Sequence, residues 1–231
     1  ATAGTLIGVA SEDAGNEFFH LGLSQPIMPV PVDGKGTYVP ALFKVPNALA
    51  FAVDPVDPNV MYVCYDDLAG EDPPPPGQDG DLDVYLIKST DGGTTWTGKI
   101  RINDDASNVQ QDQFIPAVAV DGLGRAHVIW YDTRDHPAPH SAASATVGLY
   151  YARIDGSPPF QNYRIDDQTI NTQHMVSPKF IGDYNWVCET SEHVAVAVYM
   201  GTLHPRIGGG GDGPINNKDE TIFATRIEWK E

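Results

Sequence analysis

At 231 residues, 41% of them hydrophobic, the chain has the size of one large all-β domain or two small ones and enough apolar mass for a real core. Its 31 Asp and Glu against 14 Lys and Arg leave a net charge of −17, which argues against nucleic acid and anionic membrane surfaces as partners, since both need clustered basic residues. No apolar run approaches the ~20 residues of a membrane-spanning helix, and two cysteines, Cys64 and Cys188, are too few for a disulfide framework and read as buried free thiols.

The chain opens Ala1-Thr2-Ala3-Gly4 without a signal peptide, which fits a processed protein and suggests a secreted or periplasmic location. In residues 1–45, Thr5 to Ala10, Glu17 to Leu23 and Tyr38 to Val45 each read as a strand, together part of a blade. Ile27-Met28-Pro29-Val30-Pro31-Val32 is interrupted by proline and reads as an extended linker or an edge.

A repeat of about 66 residues follows. Leu49 to Asp54, a turn and Val60 to Asp66 are matched by Pro116 to Asp121, a turn and Ala126 to Asp132, and again by Asn185 to Glu189, a turn and Val194 to Met200. Asp54 and Asp121 are 67 residues apart, Asp66 and Asp132 66, and Tyr131 and Tyr199 68. In each unit a long polar loop leads to a third strand, at Val84 to Lys88, Leu149 to Ile154 and Thr221 to Ile227. The first two units add a fourth, Lys99 to Asn103 and Asn162 to Asp166.

Repeated four-stranded antiparallel sheets are the grammar of propeller blades, each shielding the next. The expected fold is all-β, a β-propeller with blades at 46–105, 106–170 and 171–231 and a partial one at 1–45. A β-sandwich with long loops is the competing arrangement. Three blades and a part fall short of a six-bladed ring; a four-bladed ring is one way to close, and otherwise the open ends leave apolar faces exposed. A second copy, another subunit or a further chain segment is therefore expected to complete or cover it.

Between the third and fourth strands of the first unit lies Ser89-Thr90-Asp91-Gly92-Gly93-Thr94-Thr95-Trp96. Asp-Gly-Gly between alternating strands is a hairpin signal: the aspartate bonds its own downstream backbone and the glycines supply positive φ. The second unit has the degenerate Asp155-Gly156-Ser157-Pro158 at the same place.

The pattern Ser-x-Asp-x-Gly-x-Thr-Trp resembles the Asp box of the sialidase-like, or BNR-repeat, β-propellers. The resemblance spans about residues 46–229 and extends through Arg101-Ile102-Asn103-Asp104-Asp105, Gln113 to Asp121, Val128 to Arg134, Leu149 to Arg153 and Phe180-Ile181-Gly182-Asp183-Tyr184. It implies that Ser89, Asp91, Gly93, Thr95 and Trp96 form a structural turn away from any active site. It also implies action on glycans, with exo-sialidase-type glycoside hydrolysis as the enzymatic form. Sialidases use three arginines for the substrate carboxylate, a Tyr-Glu nucleophile pair and an Asp acid/base; guanidinium forks match a carboxylate. Among seven arginines, Arg134 and Arg206 are placed to reach a central site, and Asp132 joins Arg134 and Asp135 in a charged cluster at a strand end. No Arg-Ile-Pro segment is present and no Tyr-Glu pair can be assigned, so the set is incomplete. The alternative is a non-catalytic assembly subunit pairing through its open propeller edges.

Two further features bear on ligands. Asp79, Asp81 and Asp83 alternate in an acidic, proline-rich loop that resembles the start of a calcium site, although the glutamate of a full EF-hand loop is missing. The glycine run 208–211 lacks the Gly-Lys-Ser/Thr ending of a phosphate loop and reads as a flexible binding loop or spacer. Seven histidines show no metal-ligand spacing, with His136 and His140 the nearest pair. Trp130, Tyr131, Tyr150 and Tyr151 lie inside strands and read as blade packing rather than a sugar-stacking surface.

Overall fold

Short turns joining long apolar strands force neighbouring segments into antiparallel ladders, and the computed structural model is built that way. It describes residues 2–5, 9–11, 18–20, 29–32, 37–39, 43–45, 48–68, 82–106, 111–135, 146–167, 170–171, 181–182, 184–191, 193–202 and 220–229. Among these there is no helix, so none is long and apolar enough to cross a membrane.

The N-terminal stretch holds β1 (Thr2–Thr5), β2 (Val9–Ser11), β3 (Phe18–His20), β4 (Pro29–Val32), β5 (Thr37–Val39) and β6 (Phe43–Val45). They pair antiparallel as β1–β4, β2–β3 and β5–β6. Of the two readings of this segment, linker or edge, the structure has the edge: β4 is a strand, with Pro29 opposite Thr5 and Pro31 opposite Ala3. A two-stranded ladder has only edges, where a missing N–H is tolerated.

Three larger sheets follow. Sheet one runs β10-β9-β8-β7, from β7 (Leu49–Val53), β8 (Met61–Leu68), β9 (Leu82–Ser89) and β10 (Ile100–Arg101). Sheet two runs β11-β12-β13-β14, from β11 (Gln113–Val120), β12 (Ala126–Asp132), β13 (Thr146–Ile154) and β14 (Asn162–Arg164), with β15 (Ile170–Asn171) also paired to β13. Sheet three runs β16-β17-β18, from β16 (Trp186–Ser191), β17 (Val194–Thr202) and β18 (Glu220–Glu228). Each is an antiparallel meander in sequence order, and their first strands adjoin, with β11 packed against both β7 and β16. This is the stacking of propeller blades, and among the described residues the blades do not close a ring.

Alternation of side chains along each strand gives sheet two two buried faces. Trp130, Val128, Tyr150 and Phe160 pack against Tyr62, Cys64, Val84 and Leu86 of sheet one. Ile129, Tyr131, Leu149 and Tyr151 pack against Val187, Ala195, Ala197, Tyr199 and Ile227 of sheet three. Every residue of β12 is buried, and each large side chain so placed contributes about 1.5–3 kcal/mol. Tyr131 also stitches two sheets together, its hydroxyl donating to Met200 O at 2.8 Å and accepting from Met200 N at 3.0 Å.

Sheet three has one buried face only. Ala195, Ala197 and Tyr199 point to sheet two, while Val194, Val196, Val198 and Met200 between them are half-buried and Ile222 is 73% exposed. Cys188 lies on this open side and is half-buried; Cys64 is fully buried, and both are free thiols. Only one cysteine therefore matches the buried pair expected, because nothing described covers the far face of sheet three.

Gly201 shows how tightly sheet three is packed. A Cβ there would lie 2.8 Å from the Phe223 ring on the adjacent strand. Gly201→Ala is expected to cost about 1–3 kcal/mol by overpacking, measured as a lower urea midpoint with an unchanged m-value.

Candidate functional site

The meander puts the tight turns after β7, β9, β11 and β13 on one edge of the blades and the ends of β8, β12 and β17 on the other. The turn after β9 is bonded as its sequence demands. Asp91 accepts from Thr95 N at 2.8 Å, from Thr95 Oγ1 at 2.6 Å and from Ser89 Oγ at 2.8 Å, and Ser89 Oγ accepts from Gly93 N at 2.9 Å. The Trp96 indole donates to Gly93 O. Gly92 and Gly93 have φ of 69° and 86°, the left-handed region that glycine occupies without cost. Bonds from Thr95 and Ser89 hold the Asp91 carboxyl below its usual pKa. All five residues serve the turn, on the edge opposite the long connections.

On that other edge, Asp132 and Arg134 come together in a dense polar network. Asp132 is fully buried; its Oδ2 accepts from Trp130 Nε1 at 3.0 Å and from Arg134 Nε at 2.9 Å, and its Oδ1 from Arg134 N at 2.8 Å. The Arg134 guanidinium also donates to Asp104 Oδ1 at 2.6 Å and Asn162 Oδ1 at 3.1 Å and lies over the Tyr150 ring. Asn103 donates to Asp83, Asp105 and Gln113, at 2.7, 2.6 and 2.6 Å. Burial raises the Asp105 carboxyl, as does nearby Asp132, against the pull of Asn103, Arg101 and Arg134. Four carboxylates, Asp83, Asp104, Asp105 and Asp132, and two arginines thus lock sheets one and two together. Arg134 would have to give up three acceptors to grip a substrate carboxylate.

Asp83 spends Oδ1 on Asn103 and Arg101, the latter at 2.8 Å, and Oδ2 on the Tyr85 hydroxyl. Its proposed calcium partners Asp79 and Asp81 lie outside the described residues, as do Arg206, His136, His140 and the glycine run 208–211. Among the described residues no three His, Cys, Asp or Glu side chains cluster as metal ligands.

Register corrects two equivalences read from spacing; one is Tyr131 with Tyr199, which lie on opposite faces of their blades, Tyr131 toward sheet three and Tyr199 toward sheet two. Val84 N donates to Asn103 Oδ1 and Leu149 N to Asp166 Oδ1, both at 3.0 Å, which makes Val84 and Leu149 counterparts. Their partners on the second strands are Asp66 and Tyr131. Asp66 thus matches Tyr131, and Asp67 matches Asp132. One residue changes the face: Asp66 points with Cys64 toward sheet two. Burial there raises its pKa to about 7, although its own backbone and Ala48 N–H donate to it and pull the other way.

Ala48 borders a second feature that sequence reasoning did not reach, a groove of about 490 Å³ where β7, β11 and β16 meet. It is lined by Leu49 and Phe51 of β7, by 115–118 of β11 and by 184–187. Phe51, Tyr184 and Trp186 are 53%, 86% and 68% exposed. Asn185 is buried between them; its Nδ2 donates to Ile115 O at 2.9 Å and its Oδ1 has no hydrogen-bond partner. Ile115 has φ of 51°, a strained conformation for a β-branched residue, at a bulge between Phe114 and Ala117. Strain and an orphaned buried acceptor in one concavity are the marks of a built site.

No family model matches the chain, and no curated protein sequence matches it. Among solved structures it is similar to a phage phi92 endosialidase, at 14% identity and a TM-score of 0.45, over 75% of this chain and 26% of that one. A Hadza microbial sialidase aligns at 16% identity and 0.40 over 68% of this chain and 32% of its own. The α-L-arabinanase of Penicillium chrysogenum complexed with arabinobiose aligns at 11% and 0.42, over 95% of this chain and 66% of that enzyme. The chain thus spans only a quarter to a third of the two sialidases, and at these identities the likeness is one of fold.

Proposed function

We propose that this chain is a glycan-directed propeller module and that sugars are held in the central groove. The observation that carries the reading is the set of exposed aromatics, Phe51, Tyr184 and Trp186, around the unpartnered Asn185 carbonyl. Sugar rings present apolar C–H faces and a rim of hydroxyls; aromatic side chains take the former and a fixed buried acceptor orients the latter. The network around Asp132 supports a binding role better than a hydrolytic one, since its carboxylates are already engaged by Arg101, Arg134, Asn103 and Trp130. Titration calorimetry against a panel of neutral and sialylated oligosaccharides tests this. Trp186→Ala is expected to weaken binding at least roughly tenfold with an unchanged melting temperature, because the ring is mostly outside the core. Unaltered affinity in that variant would reject the groove as the site.

A second reading is favoured by the half-open valine face of sheet three, which suits an assembly subunit. Light scattering that finds a stable isolated monomer at high concentration counts against it.

A further inference from the structure

We propose that the ligand of the central groove is a neutral glycan, and that acidic sugars, sialic and uronic acids among them, are kept out by their charge; the inference rests on the reading of the groove as a sugar site. The lining, residues 48–51, 115–118 and 184–187, carries no ionisable side chain except the Tyr184 phenol. At about 490 Å³ the groove has the size of a small-molecule site. It offers a ligand aromatic and aliphatic surface around one fixed polar atom.

That atom has the wrong sign for an anion. Asn185 Nδ2 is committed to Ile115 O at 2.9 Å, which fixes the amide and leaves Oδ1 as an acceptor without a partner. A sugar hydroxyl can donate to such an oxygen, whereas a carboxylate brings only lone pairs. Pro116, the next residue along the bulge of β11, has no N–H to give an anion. On the β7 side Asp66 Oδ1 accepts from Ala48 N at 3.1 Å, so the ionisable group behind that part of the lining is a carboxyl.

Arginine grips a carboxylate through two parallel bonds, and the described arginines are engaged elsewhere. Arg101, Arg125, Arg134, Arg153, Arg164 and Arg226 each pair with an Asp or Glu of this chain. A carboxylate entering the groove would give up its water and meet no cation among the described residues, which is the costly way to bury a charge. The net charge of −17 adds a longer-range repulsion that salt screens. A neutral ring has no ionic hydration to lose, and its C–H faces suit the exposed rings of Phe51 and Trp186.

The test is titration calorimetry of the full chain with two sets of probes. Cello-, xylo-, arabino- and galacto-oligosaccharides form the neutral set; oligogalacturonate and oligosialic acid form the acidic one. At least one neutral probe is expected to bind, with every acidic probe at least roughly tenfold weaker. Leu49→Arg places a cation at a lining position that is 53% exposed. It is expected to raise the affinity for an acidic probe at least roughly tenfold. An acidic probe bound as tightly as any neutral one, with Trp186→Ala weakening both, overturns this proposal and leaves the groove standing as a sugar site. Acidic affinity that Leu49→Arg does not move would show that shape, not charge, excludes these sugars, and overturns it as well. No binding by either set, or binding that Trp186→Ala leaves unaltered, removes the groove as the sugar site and the proposal with it.

Discussion

Asp132→Ala is expected to lower the unfolding free energy by about 3–5 kcal/mol, because it removes one member of a buried ion pair and leaves the other's charge behind. The Trp130 indole N–H loses its acceptor, and Arg134, 16% exposed, is left with Asp104 and Asn162 near the surface. Guanidinium denaturation measures the loss. Asp132→Ala paired with Arg134→Met separates the roles: the double variant should recover part of the stability, since both charges leave together. A fully stable Asp132→Ala chain that has lost only glycan turnover would instead make Asp132 a catalytic group.

Asp121→Ala is expected to cost about 3 kcal/mol at neutral pH. Asp121 is fully buried at the turn between β11 and β12, where Oδ1 accepts from Leu123 N and Arg125 N at 2.9 and 2.8 Å, and Oδ2 from Arg125 Nε and His127 Nε2 at 2.6 and 3.1 Å. Burial opposes its charge, but the Arg125 backbone and guanidinium, His127 and Leu123 outweigh it and bring the pKa from 3.8 to about 2. The folded value lies below the unfolded one, so the stabilisation is full above the ordinary carboxylate pKa and fades as the pH falls through about 2. Wild type and variant should therefore differ most at pH 5–7 and converge as the pH drops from 4 toward 2 in thermal melts. Parallel curves across that range would show that the Asp121 charge is not the stabilising element.

Much of this fold can be read in the chain because propeller strands are local and alternate regularly. Val60 to Asp66 and Ala126 to Asp132, read as strands, fall within or nearly within β8 and β12, and the Asp91 turn closes on bonds spanning four residues. Trp130, Tyr131, Tyr150 and Tyr151 are buried, as strand-interior aromatics should be. The candidate site was legible only where its parts are neighbours in sequence, as with Asp132 and Arg134. Asn103, Asp105 and Asn162 act on partners brought in by sheet stacking, and Asn185 meets Ile115 across 70 residues. Neither periodicity nor turn chemistry encodes such contacts. The one-residue offset at Asp66 has the same origin: spacing alone cannot register two strands whose flanking loops differ in length.

Because sheet two carries half of each main core, the repeat is modular in sequence but not in thermodynamics. Neither outer unit could be excised and keep its fold, and neither could be exchanged for a foreign one without redesigning the middle. Any ancestral duplication of such units had to be accepted as a stack from the outset, since a lone copy would have had nothing to lean on.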